Sequence, residues 1–485
     1  MSYISKKSLK DRLEKLQCHF TWDLLGEGTD IDQTEDRLYD QIVFVSRGYK
    51  HRMYNLLAYV KYASGDTSEA MLQLQKAEAQ FHESITSEDT DVTRVVLYSN
   101  YAWLCYHQGQ IYKGHAFANK VETIYESSQI QNILQLEIYS EQGWAYFLFT
   151  KLEKAAECFE KALKLDPENP ELNSGYAMTL YRYENLKIPQ NPPNRSIIFL
   201  DRALKLNPKD TVVKALLALK HQDLNNFAEG DVLIEQALQE EPESPYVLRY
   251  VAKYYRRKGV VEEAIVILKK AISLTPTSSV LHNQLGMCYK KLIAVNRKSA
   301  HEAKVKGEPT LQYRLQTDEA LASALFHMEK AVELKKTSVL AYILLAELYI
   351  KAKEYQKAEE AFHKAESMGH ITCIEKQELH LEWGLYEERC TKSDYEAIKH
   401  YKEVIKIEKP TKYRDYAIVD LKRIAEAMIG QNPENATGYG LLGFVYQQDE
   451  ENELTAIRHY EKALQLDPDN KEYLEALAAL QPSLG

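Results

Sequence analysis

Tyr246, Arg249, Lys253 and Arg256 follow one another at intervals of three, four and three residues, the spacing that puts side chains on one face of a helix. Three cations and an aromatic ring on one face favour a flat, negatively charged partner. Guanidinium and ammonium groups seek phosphate or carboxylate, and a ring beside them offers a surface on which a base can stack. Three arrangements satisfy that chemistry. One is single-stranded nucleic acid. Another is a peptide with acidic side chains or a C-terminal carboxylate. The third is internal: Glu and Asp of neighbouring helices pair the cations while the ring packs. Spacing alone leaves all three open.

Nothing in the sequence adds bond-making chemistry to that face. There is no Walker loop, H-E-x-x-H, G-x-S-x-G or Gly-rich phosphate loop. His19 follows Cys18, but no helical face completes a triad or a metal set, and the 14 histidines are scattered. The cysteines (Cys18, Cys105, Cys158, Cys288, Cys373 and Cys390) form no C-x-x-C pair, so neither a disulfide framework nor a zinc site is expected. The expectation is a binding protein and not an enzyme, with no cofactor and no metal. A net charge of −10 excludes a uniformly basic coat but allows a local basic pocket in an acidic shell. The N-terminal MSYISKKSLKDRLEKL lacks the apolar core of a signal peptide. No stretch approaches the roughly 18 apolar residues of a membrane span. A cytoplasmic protein is expected.

The elements that carry these residues are legible as repeats. A small residue, Ala twelve further on, Ala seven after that and Pro five later recur at a period of about 34 residues, the tetratricopeptide period. Ala252, Gly259, Ala264, Ala271 and Pro276 form the clearest unit, and Gly143, Ala155, Phe159, Ala162 and Pro167 another. Ala and Gly mark where two antiparallel helices cross closely, and aromatic rings fill the gaps beside them. Ten units are expected, at 52–84, 95–128, 136–169, 170–209, 211–244, 245–278, 279–338, 339–372, 376–411 and 436–470. The fold class expected is all-α, a tetratricopeptide-repeat superhelical solenoid with a non-repeat helical N-terminal segment.

Four regions are expected: 1–51 as a cap folding onto the groove, 52–244, a central basic region at 245–338, and 339–485. The prolines of IPQNPPN predict a loop. The insert at about 291–316 predicts an extended helix followed by a mobile basic loop, with Lys290, Lys291, Arg297, Lys298, Lys304 and Lys306 against Glu302 and Glu308.

In such repeats the first helix of each pair lines the concave face. With the small residue counted as position 8, positions 2, 5, 9 and 12 point inward. This count selects Tyr246, Arg249, Lys253 and Arg256, followed directly by Arg257 and Lys258. Earlier units place Tyr59, Trp103 and Trp144 at position 9, and Tyr62, Tyr106 and Phe147 at position 12. Later units place Glu347 and Glu388 at groove positions. The expected groove is aromatic at one end, cationic in the middle and acidic at the far end.

Several runs resemble the interferon-induced proteins with tetratricopeptide repeats. They are CHFTWDLL (18–25), NLLAYVKY (55–62), NYAWLCYH (100–107), GWA (143–145), YVLRYVAKYYRRKG (246–259), PTSSVLHNQLGMCYK (276–290) and LLGFVYQ (441–447). The resemblance spans essentially the whole chain. It implies an antiviral effector of innate immunity that binds the 5′ end of single-stranded RNA, bearing a triphosphate or a cap without ribose methylation, and blocks its translation. It also implies site residues: Arg37 and Gln41 near the 5′ phosphates or cap bridge, Trp144 stacked on a cap guanine, and Arg182 in the pocket. Tyr246, Arg249, Tyr250, Lys253 and Arg256 match its central basic helix, and Gln284 a polar contact to the first nucleotides. Tyr460 and Leu464 match a motif that joins family members, or one chain to its copy, through the last repeats.

The sequence departs from the family at Leu148, where a lysine is usual, at Leu152, where a tyrosine is usual, and at Asn283, where a histidine is usual. Trp144 with Leu148, read as apolar surface beside a base, predicts a bias towards a capped end. The alternative reading is a protein-binding scaffold whose RNA binding has decayed.

Overall fold

Small residues decide how closely the helices of a pair approach. A Cβ on Gly175 would lie 2.7 Å from Phe159 Cζ, so only glycine lets the backbone there rest on the ring. The computed structural model describes residues 6–26, 31, 34–35, 38–39, 42, 50–84, 90–126, 130–186, 195–369, 371–448 and 452–480. Among these residues there is helix, turn and bend but no strand. Among the described residues no helix is long and apolar enough to cross a membrane. The fold class is the expected all-α tetratricopeptide-repeat solenoid.

The chain divides into two compact units, 1–317 and 318–485. Unit 1 opens with α1 (Lys6–Leu13) and continues as helix pairs. These are α2 (Lys50–Ala63) with α3 (Thr67–Ser84), α4 (Val95–His107) with α5 (Ile111–Glu126), and α6 (Gln131–Leu148) with α7 (Leu152–Leu165). Next come α8 (Pro170–Leu186) with α9 (Arg195–Leu206), α10 (Thr211–Asp223) with α11 (Phe227–Glu240), and α12 (Pro245–Lys258) with α13 (Val261–Leu274). The long α14 (Ser279–Val305) follows, and the boundary between units falls inside α15 (Leu311–Leu334).

Unit 2 continues with α16 (Val339–Ala352) and α17 (Tyr355–Glu366), then α18 (Cys373–Tyr386) and α19 (Asp394–Lys406). The single helix α20 (Lys412–Gln431), the pair α21 (Ala436–Gln447) and α22 (Glu453–Leu466), and α23 (Lys471–Leu480) complete it.

Two expectations change. The extended helix expected in the basic insert is present, since α14 runs on to Val305, but in place of the expected loop a short turn leads to α15 at Leu311. The residues read as loop are mostly long-chain helix formers with no proline before Pro309, so the helix propagates through them. Helix α20 was not among the expected units, because it lacks the small-residue spacing of a pair. The IPQNPPN segment lies outside the described residues.

The N-terminal segment folds back over the first repeats of its own unit. Leu9, Leu13, Leu16, Cys18, Trp22 and Leu24 are all buried. Arg12 anchors α1 on α5 through Glu122 (2.8 and 2.6 Å), with Asn119 accepting at 2.6 Å. Phe20 stacks on Trp103 (5.9 Å, 5°) and packs against Tyr59 (5.2 Å) and Tyr62 (4.9 Å). Trp103 Nε1 donates to the Leu13 carbonyl at 3.2 Å. The aromatic end of the expected groove is therefore filled by the chain itself, and Tyr59 and Trp103 are core residues. Burying these rings against Phe20 removes more apolar area from water than solvation of a lined groove would allow.

Candidate nucleic-acid interface

The central helix α12 is well fixed at both ends. Ser244 caps it by accepting from Val247 N, Pro245 opens it, and Gly259 closes it with φ 93° in the left-handed region. Its apolar residues Val247, Leu248, Val251, Ala252 and Tyr254 are buried. That leaves Tyr246, Arg249, Tyr250, Lys253 and Arg256 half-buried along the rest of the helix.

These side chains form one connected cluster with α6 and α8. Arg249 lies over two rings, 4.6 Å from the centroid of Tyr246 and 4.8 Å from that of Tyr250, and donates to Tyr250 Oη at 3.1 Å. Tyr246 and Tyr250 meet edge to face at 5.4 Å. Lys253 donates to Tyr181 Oη on α8 at 3.4 Å. Arg182, one residue further along α8, lies over the Phe147 ring at 4.5 Å and donates to the Phe147 carbonyl at 3.0 Å. Phe147 in turn packs edge to face with Trp144 at 5.6 Å. The cations here are held by rings, hydroxyls and a carbonyl.

The electrostatics set this cluster apart. Burial lowers the pKa of Arg182, and Arg249 lowers it further, while Tyr250 and Tyr246 act the other way. Burial and then Arg257, Arg256 and Arg249 lower Lys253. Burial and Arg257 lower Arg256, while the Cys288 thiol on α14 counts the other way. Burial opposes ionisation of Tyr250, but Arg249, Tyr246 and Arg182 outweigh it and the pKa falls. Tyr246 moves up, by burial first and then by Tyr250.

No ion pair to Arg182, Lys253 or Arg256 occurs among the described residues. The nearby cations that are paired mark the contrast: Lys220 with Glu184 (2.8 Å), Lys214 with Glu240 (2.6 Å), Arg257 with Asp223 (3.0 Å) and Lys258 with Asp231 (2.7 Å). Arg257 and Lys258 thus lie on another face, tied to acids of α10 and α11, and do not extend the cationic face. Arg182, Lys253 and Arg256, half-buried like charges without a carboxylate partner among the described residues, offer positive potential to an anion.

Trp144 borders the cluster. Its ring is half-buried, edge-on to Phe147 and to Phe159 (5.4 Å), and its Nε1 donates to Glu171 Oε1 at 3.0 Å. Glu171 is itself clamped by Arg52 Nη1 at 2.6 Å, and Arg52 also donates to Glu137 at 2.9 Å. Gln284 on α14 is half-buried, with Oε1 buried and lacking a hydrogen-bond partner among the described residues. Arg37 and Gln41 lie outside the described residues.

Leu148 is a correction: it is 1% exposed and belongs to the core with Leu152, so it offers no surface beside a base. It closes α6 immediately before the turn into α7, where burial of both leucines holds the turn down. Tyr460 is likewise buried inside its own pair, donating to Gln447 at 2.8 Å, while Leu464 is half-exposed. In unit 2, Glu388, expected at a groove position, is taken up by Arg423 (2.7 Å) and Tyr401 (3.0 Å).

Tyr181, Glu171 and Arg52 support the site and were not singled out from the sequence. Tyr181 lies 72 residues from Lys253 and Glu171 lies 119 from Arg52, so no local spacing signals either contact.

Comparison with known proteins gives the family of the chain. Family models described as tetratricopeptide repeat match residues 136–169, 339–368 and 436–470. The antiviral innate immune response effector IFIT1 of Homo sapiens is 39% identical over 95% of this chain and 96% of its own length. Interferon-induced protein with tetratricopeptide repeats 2 of Homo sapiens is 33% identical over 100% and 98%. A solved structure of the human IFIT1 dimer with m7Gppp-AAAA superposes with a TM-score of 0.82 at 38% identity, covering 95% of this chain and 100% of that one. The human IFIT1 dimer with PPP-AAAA gives 0.80. Identity of this extent along nearly the full length of both chains places this chain in the family of interferon-induced proteins with tetratricopeptide repeats.

Proposed function

We propose that this chain is an antiviral effector that binds the 5′ end of single-stranded RNA in unit 1 and blocks its translation. Arg182, Arg249, Lys253 and Arg256 hold the 5′ phosphates, with Tyr246 and Tyr250 fixing Arg249. Trp144 stacks on a cap base or first base, and Gln284 meets the first nucleotides. Arg37 and Gln41 complete the phosphate end. The observation that carries this reading is the cluster of half-buried cations on α8 and α12 whose Arg182, Lys253 and Arg256 have no carboxylate partner among the described residues. The human IFIT1 dimer solved with m7Gppp-AAAA and with PPP-AAAA supports the same ligand class. No chemistry on the RNA is required: the work is binding, and the protein acts in the cytoplasm as a non-enzymatic effector. Self-association or pairing with family members runs through the last repeats, with Leu464 at the surface and Tyr460 shaping the helix pair beneath it.

A gel shift with RNAs that differ only at the 5′ end tests the reading. Hydroxyl, triphosphate, unmethylated-cap and ribose-methylated-cap forms are compared. Preference for a cap without ribose methylation or for a triphosphate over the hydroxyl supports it. Equal affinity for all four, or none, moves the function to protein scaffolding.

A further inference from the structure

Unit 2 contains a cavity of about 780 Å³ between α17, α18 and α19. Two histidines face each other in its lining: His380 on α18 and His400 on α19, both buried, with Nδ1 atoms 3.1 Å apart. Their rotamers are held by a stack of rings. His400 lies on Trp383 at 4.5 Å and 22°, and Trp383 stacks on Phe362 at 5.3 Å and 11°. The helices that carry them begin at firm caps, Thr372 with Glu375 for α18 and Ser393 for α19.

We propose that His380 and His400 are the fixed half of a divalent-metal site of the zinc class, completed by Glu403. Zinc–nitrogen bonds of about 2.0–2.1 Å at a tetrahedral angle put two imidazole nitrogens about 3.3 Å apart. The pair already stands close to that separation. In the metal-free pair one Nδ1–H donates to the other Nδ1; on binding, that proton resides on Nε2 and both Nδ1 lone pairs meet the ion. Glu403 lies three residues after His400 on the same helix, hence on the same face. It now accepts from Lys406 at 2.7 Å in a largely exposed pair, a weak tie that a metal displaces. Among the described residues no three ligands already surround one point, so Glu403 must turn inward, and water supplies the fourth position.

The surroundings suit a cation. Glu366 and Glu403 face His380, opposed by Lys376. Glu403 faces His400, opposed by Lys399 and by His363. Burial comes first in lowering both histidines, His400 to about 4.

The full-length protein, stripped with a chelator, is titrated with ZnCl₂ by calorimetry. The expected result is one ion per chain with a micromolar or tighter dissociation constant. His380→Gln and His400→Gln should each weaken binding at least tenfold, and Glu403→Gln severalfold. Cys373→Ser and Cys390→Ser, which remove the two cysteines that are not buried, should change nothing, because no thiol is among the ligands. The Co²⁺ spectrum of the wild-type protein serves independently of how the variants fold. Tetrahedral nitrogen–oxygen bands support the site. Absence of bound ion, binding that survives in both histidine variants, or a thiolate charge-transfer band overturns it.

Discussion

The Arg182 guanidinium lies over the Phe147 ring, 4.5 Å from its centroid, and donates to the carbonyl of the same residue at 3.0 Å. This one contact ties α8 to the end of α6. It places a cation between the ring that Trp144 touches and the tyrosines of α12. Arg182 is thus held by an aromatic face and a carbonyl oxygen.

Arg249 sits on two such faces, and reversal of its charge removes a phosphate contact and adds repulsion. Arg249→Glu should weaken single-stranded RNA binding by about 2 kcal/mol or more. Wild-type affinity should fall linearly with the logarithm of salt concentration, because phosphate contacts release counterions. Binding measured across a salt series for both proteins checks this; unchanged affinity in the variant would count against phosphate contact.

Trp144 is held edge-on by Phe147 and Phe159 and by its hydrogen bond to Glu171, so its half-exposed face is preorganised for stacking. Base–aromatic stacking contributes about 1–3 kcal/mol. Trp144→Ala should therefore reduce affinity for capped RNA by about that amount and for triphosphate RNA by much less. Melting temperature is measured beside both affinities. An equal loss for both ligands with a large drop in melting temperature would assign the ring to packing.

A buried polar chain links the N-terminal segment to α6: Asn100 donates to His19 Nδ1 (2.7 Å) and to Asn55 (2.6 Å), and Asn55 donates to Glu141 (2.5 Å). Burial pushes Glu141 up to about 8 and His19 down to about 3. Between about pH 4.5 and 8 the folded state holds a proton on Glu141 that the unfolded chain releases, so this group favours folding less as pH rises. His19 has the opposite sign below about 6.5, where only the unfolded chain protonates it. The two oppose each other at mildly acid pH, and from about 6.5 to 8 Glu141 acts alone. Its contribution to melting temperature should fall across that window, and Glu141→Gln should flatten the fall. A variant profile parallel to the wild type would show that Glu141 is not the titrating group.

Phe20 fills the space between Tyr59, Tyr62 and Trp103. Phe20→Ala should cost about 2 kcal/mol in chemical denaturation, the value of burying one such side chain. It should also expose residues 14–26 to limited proteolysis. Unchanged stability and an unchanged cleavage pattern would mean that the segment is held by α1 alone.

The sequence by itself determined the repeat, the pairing of helices and the face of α12. Each depends on local spacing: small residues at helix crossings, apolar periodicity, a capping Ser244 and a closing Gly259. Partners were decided only in the tertiary structure. Lys253 and Arg257 look alike in the run 249–258, yet one meets Tyr181 and the other Asp223. Tyr59 and Trp103 occupy positions equivalent to Trp144, yet the chain's own Phe20 covers them. The resemblance to the family puts Leu148 beside the bound base, yet it is buried at the turn into α7. Spacing sets the direction in which a side chain leaves its helix. What it meets depends on which distant helix is packed there, and that contact decides whether a cation is neutralised and whether a ring is core or binding surface.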